Sequence, residues 1–148
     1  KLRADRLILV DNPSTRSFTS SSTPPPHQPA GLSARLETAH WSLGMKHSDP
    51  QVLEALDLAW DPERGALGKL RQGEFDAELA DRYVDLLSSI EITEGEPIHQ
   101  DFVRLLWFAP LFAEWQIERA VKHGADQQKV SNFCDLVRES VMEILGTP

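Results

Sequence analysis

Two Glu-x-x-His pairs are the residues whose spacing could do chemistry: Glu37 with His40, and Glu96 with His99. On a helix, positions three apart share a face, and two such pairs with two further carboxylates make the ligand set of a di-iron or di-manganese bundle. Glu54, Glu114 and Glu118 could supply those carboxylates, and such a site would support an oxidoreductase. Two features weigh against it. Glutamate is frequent enough in this acidic chain for such pairs to arise by chance, and Glu96 precedes Pro97, which pushes it away from helical geometry. The other histidines offer less: His27 lies among prolines, His47 at a helix end, and His123 just before Gly124, where a cation suits the helix dipole. The sequence contains no GxGxxG, P-loop, CxxC or zinc-ligand spacing, and sequence spacing singles out no Ser, His and Asp triad. No catalytic residue and no cofactor are therefore expected.

The stretch that must position everything else is Phe102 to Ile117, FVRLLWFAPLFAEWQI, whose only charges are Arg104 and Glu114. A helix of this composition is apolar nearly all round and needs neighbours on every side. At about 1.5 Å per residue it reaches roughly 24 Å, short of a bilayer core, and its charges and Pro110 favour a buried helix over a membrane span. Pro110 predicts a kink, because its ring crowds the carbonyl of Leu106. Arg104 and Glu114 fall nearly three turns apart, too far to pair with each other, so each is expected at the edge of the buried stripe with its head in water. Trp107 and Trp115 share this helix, and Trp41 and Trp60 lie on earlier ones. Core packing is their expected use, with an aromatic ligand pocket as the alternative.

Around that stretch the apolar pattern is helical from Gly31 onward. A first helix is expected from Ser33 to Lys46, carrying Leu36, Ala39, His40 and Leu43. Ser48-Asp49-Pro50-Gln51 signals the start of a second, with Ser48 capping and Val52, Leu53, Leu56, Ala59 and Trp60 on its stripe. Asp61-Pro62 restarts a third, which Gly65, Gly68 and Gly73 make short and weak. Asp76 caps a fourth along Leu79, Tyr83, Leu86, Leu87 and Ile90, ended by the acidic turn Glu91 to Glu96. Pro97 opens the central helix, which carries Glu118 and Lys122 at i, i+4 and ends at Gly124. Asp126 caps a final helix through Val130, Phe133, Val137, Val141 and Ile144. The fold class expected is all-α, an antiparallel bundle of about six helices over residues 31–148, with the central and final helices as its hairpin core.

Residues 1–30 read differently. Arg6 to Val10, RLILV, is strand-like but has no convincing partner strand, so groove packing suits it best. Ser14 to Pro29 is rich in Ser, Thr and Pro, with Phe18 its one aromatic anchor. This extended arm carries four basic and two acidic residues; set against a total charge of −8 at pH 7, it is a basic arm on an acidic body. Such a body repels phosphate backbones, which argues against nucleic-acid binding, while the arm suits an acidic protein surface. The single cysteine, Cys134, excludes an intramolecular disulfide and fits the cytoplasm or another reducing compartment.

These features point to a soluble, non-enzymatic helical subunit for protein-protein interaction or assembly, with a protein partner or a homo-oligomer as its counterpart. The partner-binding residues expected are Leu7, Ile8, Leu9 and Phe18 on the arm and Arg104, Trp107, Phe108, Glu114 and Trp115 on the central helix. The alternative is a metal- or small-molecule-binding bundle with Glu37, His40, Glu96 and His99 as ligands.

Overall fold

A computed structural model describes Trp41 and residues 44–147 of the chain. Helices dominate them: α1 (Pro50–Leu58), α2 (Ala66–Arg71), α3 (Ala77–Ser88), α4 (Gln100–Leu106), α5 (Ala109–Lys122) and α6 (Gln127–Leu145). The strand-like segment 6–10, the arm and most of the first expected helix lie outside the described residues.

The starts of α3 and α6 follow from single carboxylates. Asp76 accepts the N–H of Leu79 at 3.2 Å, and Asp126 accepts that of Lys129 at 3.0 Å, satisfying donors that a helix start leaves unpaired. α1 begins one residue later than its sequence signal. Asp49, not Ser48, is the capping residue and contributes its backbone carbonyl to Val52 and Leu53, while Pro50 occupies the first turn as expected.

The central helix is two helices. Its start is at Gln100, not Pro97, with the ring Nδ1 of His99 accepting the Asp101 N–H at 3.2 Å. The chain then breaks at Trp107 and Phe108, and Pro110 lies in the first turn of α5, where a missing N–H costs nothing. What the sequence predicts as a kink is an interruption of the helical hydrogen bonding at Trp107 and Phe108, which both keep right-handed helical backbone, followed by a new helix start. A carbonyl near the break finds its donor in a side chain: the Trp60 indole N–H donates to Leu105 O at 3.0 Å.

Two expectations about the neighbouring turns are also corrected. Met45–Lys46 is not the end of a helix but a short strand, β1, pairing in parallel with β2 (Ile90–Glu91) in the register Met45 to Ile90 and Lys46 to Glu91. Asp61-Pro62 opens a turn rather than a helix, with Asp61 Oδ1 accepting the N–H groups of Glu63 and Arg64 at 2.9 Å each. α2 starts only at Ala66, and the N–H groups of Leu67 and Gly68 both reach the Ala59 carbonyl, at 2.9 and 3.1 Å. That approach is the reason for glycine here. A Cβ at Gly68 would stand 1.9 Å from Asp61 O, and one at Gly65 would stand 2.3 Å from Ala59 O and Leu58 O. The glycines read as weakening this helix in fact let it dock backbone to backbone.

α5 and α6 form the main helix pair, α3 lies on α6, α2 touches α3 and α5, and α1 packs on α4. The core between them holds Val52, Leu56, Leu67, Leu70, Leu87, Phe102, Leu106, Val130 and Val137, each all but closed to solvent. Burying such side chains, at roughly 1.5–3 kcal/mol each, is what holds amphipathic helices together. Among the described residues no helix is long and apolar enough to cross a membrane.

Candidate interaction face

Among the described residues the apolar α4–α5 segment is covered on one side. Phe102, Leu106, Ala109, Phe112, Ala113 and Ala120 turn inward and are buried. On the opposite side Trp107, Leu111 and Trp115 stand 58%, 42% and 63% exposed, the tryptophans more so than any other large hydrophobic side chain in the described residues. Their spacing of four and four keeps them on one stripe of the helix surface. Large exposed aromatics aligned in this way are characteristic of contact surfaces.

These tryptophans are held in place from beneath. The Phe108 ring lies 5.4 Å from Trp107 and 5.7 Å from Trp115, centroid to centroid, wedged between the two. Behind it, Trp60 stacks nearly parallel to Phe108 at 6.4 Å and meets Phe112 at 5.0 Å, and the Arg71 guanidinium sits 5.8 Å from the Trp60 centroid and 5.4 Å from that of Phe112. Aromatic contacts of this kind contribute about 0.5–1.5 kcal/mol each beyond area burial. The ladder runs from core to surface, so the exposed rings need little ordering on contact.

Charges border the stripe. Arg104 pairs with Asp101 at 3.4 Å at one end and Glu118 with Lys122 at 2.7 Å at the other, all four well exposed. The Lys122 ammonium holds the Glu118 carboxyl below the usual range. On the flank, Arg138 of α6 bridges Glu114 at 2.7 Å and Asp135 at 2.5 Å. The Glu114 carboxylate reinforces the positive charge of Arg138 and, with Asp135, joins burial in pushing the Cys134 thiol up to about 11.

Of the residues expected to bind a partner, Trp107 and Trp115 lie on the stripe, Arg104 at its end, and Glu114 beside it in an ion pair with α6. Phe108 is half-buried and supports the tryptophans rather than facing outward. Leu111 was missed, although its position midway between the two tryptophans was the signal. Leu7, Ile8, Leu9 and Phe18 lie outside the described residues, as do Glu37 and His40.

The second Glu-x-x-His pair is not on a helix, which corrects the shared-face geometry expected of it. Glu96 sits in the turn before α4, its carboxylate facing the Thr93 N–H at 3.4 Å, while His99 uses its Nδ1 as a cap. The partner that His99 does find is His47, whose buried ring accepts the His99 backbone N–H at Nε2, 3.2 Å away, and meets the Phe102 ring edge-on. Its other ring nitrogen, Nδ1, is buried with no hydrogen-bond partner among the described residues. His47 thereby ties the β1 turn to the start of α4. Among the described residues no three His, Cys, Asp or Glu side chains gather closely enough to hold a metal ion.

The Tyr83 hydroxyl likewise has no hydrogen-bond partner among the described residues, and burial raises its ionisation above the usual phenol range. It borders a cleft between α1 and α3, lined also by Trp41, Ala55, Leu58, Leu79 and Leu86. At about 60 Å³ the cleft is far smaller than the roughly 300–1,000 Å³ of sites that take organic ligands.

Comparison with family models, with curated proteins and with solved structures finds no match to this chain.

Proposed function

We propose that this chain is a non-enzymatic helical subunit for protein-protein interaction or assembly, an antiparallel bundle of about six helices carrying an extended N-terminal arm over residues 1–30. One observation carries the reading: Trp107 and Trp115 stand in water on rings that the core has already fixed in place. Rigid, exposed tryptophans on a charged rim have the anatomy of a binding hot spot, where a few aromatic anchors supply most of the affinity. The arm is the second element of the proposal, since its basic residues suit an acidic body, its own or a neighbour's. A reducing compartment belongs to the same reading, because the buried Cys134 thiol serves as core.

Native mass spectrometry of the purified chain tests it. An oligomer or a stable complex is expected, lost in a Trp107→Ser/Trp115→Ser variant that keeps its circular dichroism. A monomer indistinguishable from that variant, with its tryptophans freely quenched by acrylamide in the full chain, would defeat the proposal.

A further inference from the structure

The exposed stripe reads the same from both ends. Arg104, Trp107, Leu111, Trp115 and Glu118 are spaced three, four, four and three, so every position on one side of Leu111 has a counterpart at equal distance on the other. Tryptophan mirrors tryptophan, and the two ends carry opposite charges. At about 100° per residue the five positions fall within a sector of roughly 80°. The break between α4 and α5 does not interrupt it, because Trp107 (φ −58°, ψ −31°) and Phe108 (φ −89°, ψ −16°) both keep right-handed helical backbone.

We propose that the occupant of this face is a second copy of the chain, docked antiparallel about a two-fold axis through Leu111. The inference rests on the interaction role argued above and names its partner. In an isologous interface each residue meets its mirror position. Trp107 of one protomer then lies on Trp115 of the other, Leu111 meets Leu111, and Arg104 meets Glu118, twice by symmetry. The flanking charges continue the pattern, for Asp101 beside Arg104 comes near Lys122 beside Glu118, giving alternating signs at each end. A parallel arrangement would set Arg104 against Arg104 and Glu118 against Glu118. The charges thus select the antiparallel dimer and disfavour its alternative.

The area sets the size class of the contact. A tryptophan buries roughly 150–250 Å² when covered, so the exposed parts of two tryptophans and one leucine offer roughly 300–400 Å² per protomer. That is about half of the ~800 Å² per partner in a standard interface, the size class of weak, transient contacts, so the charges at the two ends must supply much of the specificity.

Sedimentation velocity of the full chain over a concentration series is the test, with charge variants that leave the core untouched. A concentration-dependent dimer is expected. Arg104→Glu or Glu118→Arg alone should weaken it by at least about tenfold, because each variant turns two opposite-charge contacts into like-charge ones. Combining both substitutions in one chain should restore it, and mixing the two single variants should yield a heterodimer in which both pairs are again opposite. A dimer indifferent to these exchanges overturns the inference while leaving the interaction role standing, because the copies then meet through another face. A strict monomer also overturns it. Acrylamide quenching, read against a Trp107→Phe/Trp115→Phe variant, then separates the causes. Quenching that appears only after residues 1–29 are removed makes the chain's own arm the occupant, whereas free quenching in the full chain defeats the interaction role as well.

Discussion

Replacing Gly68 with alanine reverses the sign that helix propensity assigns to the change. In an exposed helix interior alanine is favoured over glycine by about 1 kcal/mol. At Gly68 the added methyl would stand 1.9 Å from the Asp61 carbonyl oxygen, 2.3 Å from its carbon and 2.7 Å from Trp60 O, all backbone atoms with no rotamer to escape into. An ordinary carbon-oxygen contact is about 3.3 Å, so α2 and the turn before it must separate by more than about 1 Å. Overpacking of this kind costs roughly 1–3 kcal/mol, and the separation also strains two backbone hydrogen bonds from Leu67 and Gly68 to Ala59 O, each contributing about 1 kcal/mol. After the propensity gain, a net loss of about 3 kcal/mol is expected, a fall in Tm on the order of 10–14 °C for a domain of this size. Urea and thermal unfolding followed by circular dichroism would read it. Gly95→Ala is the control: its φ of +79° brings left-handed strain of about 1–2 kcal/mol, but a Cβ there meets nothing within 4 Å. A Gly68→Ala chain as stable as its parent would refute the argument that backbone contact selects this glycine.

Trp60→Phe keeps most of the ring but removes the donor to Leu105 O, so a loss of about 1–2 kcal/mol is expected from urea midpoints, and no loss would mean that the α4–α5 break has no need of that bond. Lys69 and the Leu79 N–H hold the Asp76 carboxyl below its usual range, so the folded state binds that proton less readily than the unfolded one. The stability Asp76 contributes should therefore be full above about pH 4 and fade as pH falls through its lowered folded value; the stability gap between the parent and Asp76→Asn should narrow on acidification, and a widening gap would contradict the assignment. Cys134 is buried, with its thiol near 11, so alkylation at pH 8 should be slow in the folded chain and become rapid in denaturant, whereas fast native labelling would place the thiol at the surface.

Local signals were legible without the fold. Asp76 and Asp126 cap the helices they were expected to cap because an N-cap bond spans only three residues, and the stripe from Val130 to Val141 is buried because a period near 3.6 sets one face inward. Trp107 and Trp115 could be named as candidate contacts from the excess of apolar residues around them, but periodicity does not say which side of an all-apolar helix finds neighbours. That was settled by α1, α2 and α6 closing over Phe102, Leu106, Phe112 and Ala113 and leaving Leu111 in water.

Backbone sterics and neighbours a few residues apart suffice to show that the chain beyond residue 44 is mostly helical, where several of those helices begin, and that no recognised catalytic motif is written in it. It took the packed fold to show that Pro110 lies at a helix start, that Gly68 is an approach point, that His47 answers His99 across 52 positions, and which aromatics reach the surface. Each of those depends on groups distant in the chain meeting within a few ångströms, and spacing along the sequence does not encode such a meeting.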